Sequence, residues 1–116
     1  MDKLIPDEDG FYATNIKFGQ LQPNELRAVD VNGERVALAR YNDQVYAFKP
    51  ICPHASANLA EGELSRWKLF CPDHGYCFDV RNGRILWPED EVYRLQQYEI
   101  NIKSGKIHIK LSNGQN

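Results

Sequence analysis

The chain has 116 residues, with 14 Lys and Arg against 16 Asp and Glu and a net charge of -2. This length predicts a single domain spanning residues 1–116 with a modest core, and the charge balance, with no run of Lys or Arg, argues against a nucleic-acid partner. The start of the chain is acidic where a signal peptide would be basic and then apolar, and no apolar run reaches the roughly 18 residues of a membrane span, so we expect a cytoplasmic protein with no membrane association.

Short segments with alternating apolar residues follow one another along the chain, separated by turn signals. The turn pairs are Asn32-Gly33, Asn42-Asp43, Asn82-Gly83 and Ser104-Gly105. Short strands at such spacing are typical of an all-β fold, an antiparallel sandwich or barrel. Helical periodicity is weak, and residues 58–64 are long enough for one helical turn at most.

The strands are predicted from this alternation. Residues 29–31 and 36–38 form a tight hairpin around Asn32-Gly33, because such a turn needs positive φ at both central residues. The other predicted strands are residues 45–48, 68–70, 98–102 and 106–111. The last two form the most regular alternating pair and are predicted to be the closing hairpin. Residues 1–9 and 112–116 are polar, and we expect them to be loosely held.

Two short segments, each following a predicted strand, pair one thiol with one imidazole. They read Cys52-Pro53-His54 and Cys71-Pro72-Asp73-His74. A 2Fe-2S cluster with two Cys ligands on one iron and two His ligands on the other needs two such loops. The prolines stiffen both turns, and Gly75 would allow close backbone approach. Cys52, His54, Cys71 and His74 are therefore the candidate cluster ligands.

A structural zinc site is the alternative, because two Cys and two His also suit tetrahedral zinc. Zinc sites usually group their thiols as C-x-x-C and their imidazoles as H-x3-5-H. Here the order alternates Cys, His, Cys, His, which is unusual for zinc. A visible absorption spectrum would separate the two interpretations, since zinc proteins are colourless.

The segment from Cys71 to Asp79 and the turn at residues 81–84 resemble the second cluster loop of Rieske 2Fe-2S proteins. The similarity extends over roughly residues 44–111 and includes the closing strands. It implies a small Rieske-type sandwich or barrel whose cluster-binding subdomain has two loops, roughly residues 50–58 and 70–78. It also implies one Rieske 2Fe-2S cluster.

The resemblance further implies a function, that of a soluble one-electron carrier. A Rieske oxygenase needs a further domain with mononuclear iron, and this chain is too short for one. The partners implied are a flavin-containing NAD(P)H-dependent reductase and a terminal ring-hydroxylating oxygenase. The alternatives are an accessory subunit of a reductase such as nitrite reductase, or a redox-sensing binding module.

The residues around the ligands indicate a reduction potential in the lower part of the Rieske range. High-potential relatives link their two cluster loops by a disulfide, and the matching positions here are Ala57 and Asp73. Those relatives also place hydroxyl donors to sulfur at the positions of Tyr76 and Phe78. Phe78 has no hydroxyl, and the Tyr76 hydroxyl is too far from its backbone to replace a Ser. We therefore expect added negative charge on the cluster to be less stabilised.

Some residues near the motifs are interpreted as surroundings of the cluster. Leu59, Trp87 and Pro88 are candidates for an apolar cover, with plain core as the alternative for Trp87. Acidic side chains could border the same end and dock a basic partner, or could simply form a solvated loop. They are Glu61, Glu63, Glu89, Asp90 and Glu91.

Two further residues invite a ligand role but are given none. Cys77 follows the second ligand pair, and its predicted role is a small buried hydrophobic residue. His108 alternates with Ile107 and Ile109 on the last predicted strand, and we expect it to face solvent.

Overall fold

The computed structural model describes residues 5–52, 57–72 and 75–111. Ten strands and two short 3-10 helices are found in this part of the chain. The strands are β1 (Phe11–Lys17), β2 (Leu26–Val31), β3 (Glu34–Tyr41), β4 (Gln44–Phe48), β5 (Glu63–Ser65), β6 (Lys68–Phe70), β7 (Cys77–Asp79), β8 (Ile85–Trp87), β9 (Gln97–Lys103) and β10 (Lys106–Lys110). The 3-10 helices are Phe18–Gln20 and Leu59–Glu61. The all-β prediction is confirmed, and the second helix is the single turn expected within residues 58–64.

Six strands form an antiparallel sheet in the order β1-β10-β9-β4-β3-β2. The β2–β3 hairpin turns at Asn32-Gly33 with φ of 53° and 86°, as the sequence predicts. The closing hairpin β9–β10 turns at Ser104-Gly105, again with both φ values positive. A left-handed backbone at both turn positions matches the twist of the flanking strands, and this fixes the register of each hairpin.

The remaining four strands form a second antiparallel sheet in the order β5-β6-β7-β8. Their register places Phe70 opposite Cys77, and Cys77 opposite Trp87, at one end of this sheet. The connection from β6 to β7, residues 71–76, lies at that end and contains the second ligand motif. We call it the cluster end. The turns β5–β6 and β7–β8 lie at the opposite end.

Buried side chains form two groups. One fills the six-stranded sheet and includes Leu38, Ile107 and Ile109. The other includes Phe48 from the large sheet and Leu69 and Phe78 from the small one. Strands from both sheets contribute to the second group, so this group packs the four-stranded sheet onto the six-stranded sheet. No helix in the described residues is long and apolar enough to cross a membrane.

The prediction that residues 1–9 are loosely held is wrong for their described part near Asp7. The Asp7 carboxylate accepts hydrogen bonds from the backbone N–H groups of Asp9 and Phe11, and it pairs with Lys103 at 2.7 Å. The hydrogen bond from Lys103 has the largest effect, and together these bonds lower the pKa of Asp7 to about 2. The segment is therefore fastened to β9 just before β1 begins.

Candidate metal centre

The first ligand loop starts where β4 ends. Cys52 is 1% exposed, and its backbone N–H donates to the Ala57 carbonyl at 2.9 Å, which closes the loop. An antiparallel bridge between Ile51 and Asn58 continues this pairing outward. His54, the other candidate ligand of this loop, lies outside the described residues. The sequence thus gives a tight loop with its thiol turned into the protein.

The second loop repeats this arrangement. Cys71 is 3% exposed, and its N–H donates to the Tyr76 carbonyl at 2.7 Å. The Gly75 N–H donates back to the Cys71 carbonyl at 3.2 Å, and Gly75 has φ of 72°. This left-handed conformation favours glycine. The close approach of the Gly75 backbone to a bound cluster stays a prediction. His74 lies outside the described residues.

The two thiols belong to the same buried group. Cys52 and Cys71 both pack into the core that contains Leu59, Leu69 and Phe78. Among the described residues alone, no three or more His, Cys, Asp or Glu side chains converge on a point. Both candidate histidines stand in segments 53–56 and 73–74, outside the described residues. Two thiols brought together from two similar loops fit the half of an iron–sulfur cluster that is held by sulfur.

The interpretation of Trp87 as plain core is wrong, because its side chain is 54% exposed at the end of β8. Its ring meets the Tyr76 ring edge-on, with centroids 6.3 Å apart and planes at 78°. Tyr76 also lies 6.3 Å from the Tyr93 ring. Leu59, the other predicted apolar cover, is fully buried in the same group of core residues as both thiols. Pro88 follows Trp87 and is partly buried.

Tyr76 follows the second ligand pair and contacts two rings, Trp87 and Tyr93, that flank the acidic segment in sequence. Burial raises the pKa of its phenol, and negative charge on Glu91, Tyr93, Cys52 and Asp90 raises that pKa further. The sequence could not show this role, since the contacts join residues that are far apart along the chain.

The second acidic pair also lies beside a ligand. A surface concavity is lined by Glu61, Gly62, Glu63, Phe70, Cys71 and Pro72. Glu63 pairs with Phe70, the residue before Cys71, across the β5–β6 ladder. The acidic residues between and after the ligand motifs thus share the cluster end.

Cys77 and His108 are not brought to the two thiols as a further pair of ligands. Cys77 is 5% exposed on β7, and burial raises its thiol pKa, which agrees with the predicted small hydrophobic role. His108 is on β10 between Ala13 and Asn101, in the large sheet. The prediction that it faces solvent is wrong in part, because its side chain is partly buried. Its Nδ1 atom is buried with no hydrogen-bond partner among the described residues.

Comparison with known protein families resolves the choice between iron–sulfur and zinc. The family model of the Rieske [2Fe-2S] domain matches residues 14–99. The chain belongs to the Rieske family. The cofactor of this domain is one Rieske 2Fe-2S cluster, so the zinc alternative is excluded.

Similar proteins include both small ferredoxins and longer chains. Apoptosis-inducing factor 3 of Mus musculus is 31% identical over 90% of this chain, which spans only 17% of the mouse protein. The ferredoxin component of the alkene monooxygenase system of Xanthobacter autotrophicus is 30% identical, with 77% of this chain and 72% of that protein covered. The ferredoxin component of a naphthalene 1,2-dioxygenase system of Pseudomonas aeruginosa is 28% identical, with 80% and 88% covered.

Solved structures agree with the fold. The ferredoxin of carbazole 1,9a-dioxygenase from Nocardioides aromaticivorans superposes with a TM-score of 0.76 and is 31% identical. The match covers 84% of this chain and 94% of that ferredoxin. A second match, with a TM-score of 0.74 and 30% identity, is to a chain in a complex of reduced oxygenase and oxidised ferredoxin of carbazole 1,9a-dioxygenase. It covers 81% of this chain and 87% of that chain.

Proposed function

We propose that Cys52, Cys71, His54 and His74 hold the 2Fe-2S cluster and that the chain is a one-electron carrier. When bound, such a cluster takes up and releases one electron at a time. Support for this ligand set comes from the two buried thiols and from the hydrogen bonds that close both loops. The two histidines follow those thiols at the spacing that the Rieske resemblance implies.

We further propose that the chain serves as the ferredoxin component of an oxygenase system. It would receive electrons from a flavin-containing NAD(P)H-dependent reductase and deliver them to a terminal oxygenase. The observation that carries this proposal is the extent of the match to a stand-alone ferredoxin, 94% of which is covered. The similarity to a chain from an oxygenase–ferredoxin complex supports the choice of the second partner.

The expected low potential is part of this proposal. Phe78 is fully buried, so the side chain at that position fills the core without offering a hydroxyl. Ala57 is one of the two positions that would have to bridge the loops, and its side chain holds no sulfur. A midpoint in the lower part of the Rieske range, which extends from roughly -150 to +300 mV, is therefore expected.

Docking at the cluster end would use charge. Glu89 and Asp90 are exposed and follow the half-exposed Trp87 closely in sequence, and Glu91 is partly buried. Transient redox complexes have small interfaces in which charge speeds encounter more than it tightens binding. A basic face on the reductase or on the oxygenase would complement this segment.

Stopped-flow kinetics test both the function and the docking. A flavin-containing NADH-dependent reductase should reduce the cluster rapidly, and a terminal oxygenase should reoxidise it. Reversing Glu89, Asp90 and Glu91 to Lys should slow these rates and flatten their dependence on ionic strength, with the visible spectrum unchanged. Identical rates in wild type and the triple variant would show that the segment is a solvated loop without a docking role. Tight redox-dependent binding without turnover would contradict the carrier function and indicate a sensing module.

A further inference from the structure

The end of the small sheet that lies away from the cluster carries an aromatic and basic surface. The register places Ser65 opposite Lys68, and Lys68 opposite Asp79, at this end. Trp67 stands in the β5–β6 turn and is partly buried, and the Tyr41 ring meets it edge-on at 5.9 Å. The two rings come from different sheets, so the surface spans the junction between them.

Three cations surround the Trp67 ring. The Arg81 guanidinium lies 4.6 Å from the ring centroid, the Arg66 guanidinium 5.5 Å and the Lys68 ammonium 5.8 Å. We call Tyr41, Arg66, Trp67, Lys68 and Arg81 the Trp67 surface. Tyr, Trp and Arg are the residue types enriched at the energetic centres of protein interfaces.

The Trp67 surface keeps an excess of positive charge. The buried Asp79 carboxylate neutralises the Arg81 guanidinium, which donates two hydrogen bonds to it at 3.0 and 2.9 Å. Arg66 and Lys68 are exposed, and neither is ion-paired with any residue in the described part of the chain. Asp43 is an exposed carboxylate that lines the same concavity as Arg66. One carboxylate does not neutralise the two cations.

The cluster end carries the complementary features. Its acidic residues are Glu61, Glu63, Glu89, Asp90 and Glu91, and its exposed apolar residues are Ile51, Leu86, Trp87 and Val92. Val92 is 90% exposed, directly after the acidic triplet. Large exposed apolar side chains gathered beside charge mark an interaction site. Arg84 and Arg94 line a concavity with Glu89 and Glu91 and offset part of this charge, but the five carboxylates outnumber them. The small sheet thus has an acidic, apolar end and a basic, aromatic end.

We propose that the acidic cluster end of one copy docks on the Trp67 surface of a second copy. The two surfaces differ, so the contact is head-to-tail. Each pair then keeps one cluster end and one Trp67 surface open for further copies. Charge attraction between exposed groups is weak and screened by salt, so the association is salt-sensitive and grows with protein concentration. It would also cover the end used for redox docking, a consequence that depends on the proposed function.

Sedimentation velocity on the cluster-loaded protein tests the contact. The weight-average sedimentation coefficient should rise with concentration at about 20 mM salt and stay at the monomer value at about 0.3 M salt, where screening is short-ranged. Arg66→Glu with Lys68→Glu should abolish the rise. So should the reversal of Glu89, Asp90 and Glu91 to Lys. The control Lys17→Glu with Lys106→Glu changes the net charge as the first variant does, but on facing positions of β1 and β10.

Mixing the two interface variants gives the decisive result. The Arg66/Lys68 variant keeps its acidic end, and the Glu89/Asp90/Glu91 variant keeps its basic end, so the mixture should regain an association that neither variant shows alone. Visible absorption of each variant verifies that the cluster is bound. Monomers at every salt concentration, equal loss in the control variant, or no dimer in the mixture would each overturn the proposal.

Discussion

Gly62 is a position where one added methyl group should disturb a cluster ligand. It follows the 3-10 helix Leu59–Glu61, and its N–H donates to the Leu59 carbonyl at 3.0 Å. A Cβ at this position would overlap the Phe70 carbonyl oxygen and would approach the Leu59 carbonyl oxygen to 3.2 Å. Both obstacles are backbone atoms, so no rotamer change relieves them. Phe70 immediately precedes Cys71, and the chain must shift there.

We expect Gly62→Ala to destabilise the protein by about 3 kcal/mol, the upper part of the usual range for overpacking. Gly19→Ala is the matched control, because nothing lies within 4 Å of its added Cβ and its φ is not positive. That change should be neutral or stabilise by about 0.5 kcal/mol through the unfolded chain. Urea unfolding measured by far-UV circular dichroism gives the difference, and visible absorbance per protein gives cluster content. Equal midpoints and equal cluster content in the two variants would refute the packing argument.

Three other predictions follow from single side chains. Phe78→Tyr should raise the reduction potential, measured by protein-film voltammetry, if the new hydroxyl reaches sulfur. A wild-type midpoint near the top of the Rieske range would contradict the expectation of a low potential, which rests on Tyr76 and Phe78. Asp79→Asn should lower the free energy of unfolding by about 1–3 kcal/mol, because the buried carboxylate accepts three hydrogen bonds from Arg81. The control Asp30→Asn removes an exposed ion pair of 3.7 Å with Arg35, and urea unfolding should show almost no change in stability. Lys103, and after it backbone N–H groups, lower the pKa of Asp7 to about 2, so the Asp7 carboxylate stabilises the fold above its ordinary pKa near 4 and loses this effect as pH falls towards 2. The difference in melting temperature between wild type and Asp7→Asn should therefore shrink over that interval. A constant difference would contradict this prediction.

The sequence predicts much of the large sheet because its signals are local. The β2–β3 and β9–β10 hairpins have turn pairs that need positive φ, and they have alternating apolar residues on both sides. β1 was not predicted, since Thr14 occupies a buried position of its alternation. Its hydroxyl is accommodated there by donating to the Ile107 carbonyl at 2.7 Å. A polar residue satisfied by a distant strand cannot be recognised as core from its own segment.

In the candidate site, too, the sequence predicts the local features and not the contacts between distant segments. The two Cys-Pro segments are local, and the structure places both thiols in one buried group. The contacts of Tyr76 with Trp87 and Tyr93 depend on the path of the chain after β8, so sequence spacing gives no sign of them. β8 is not predicted because Ile85, Leu86 and Trp87 are consecutive apolar residues, so the segment lacks the apolar–polar alternation that identifies a strand.

Pulsed electron paramagnetic resonance of the reduced protein, labelled with nitrogen-15 histidine, tests the central claim most directly. We expect couplings from two imidazole nitrogens bound to iron. We also expect that His54→Cys and His74→Cys each remove one coupling and lower the midpoint potential, because a thiolate adds negative charge. His108→Gln should leave both couplings in place. Unchanged couplings and an unchanged potential in both His→Cys variants would contradict the assignment of His54 and His74 as ligands.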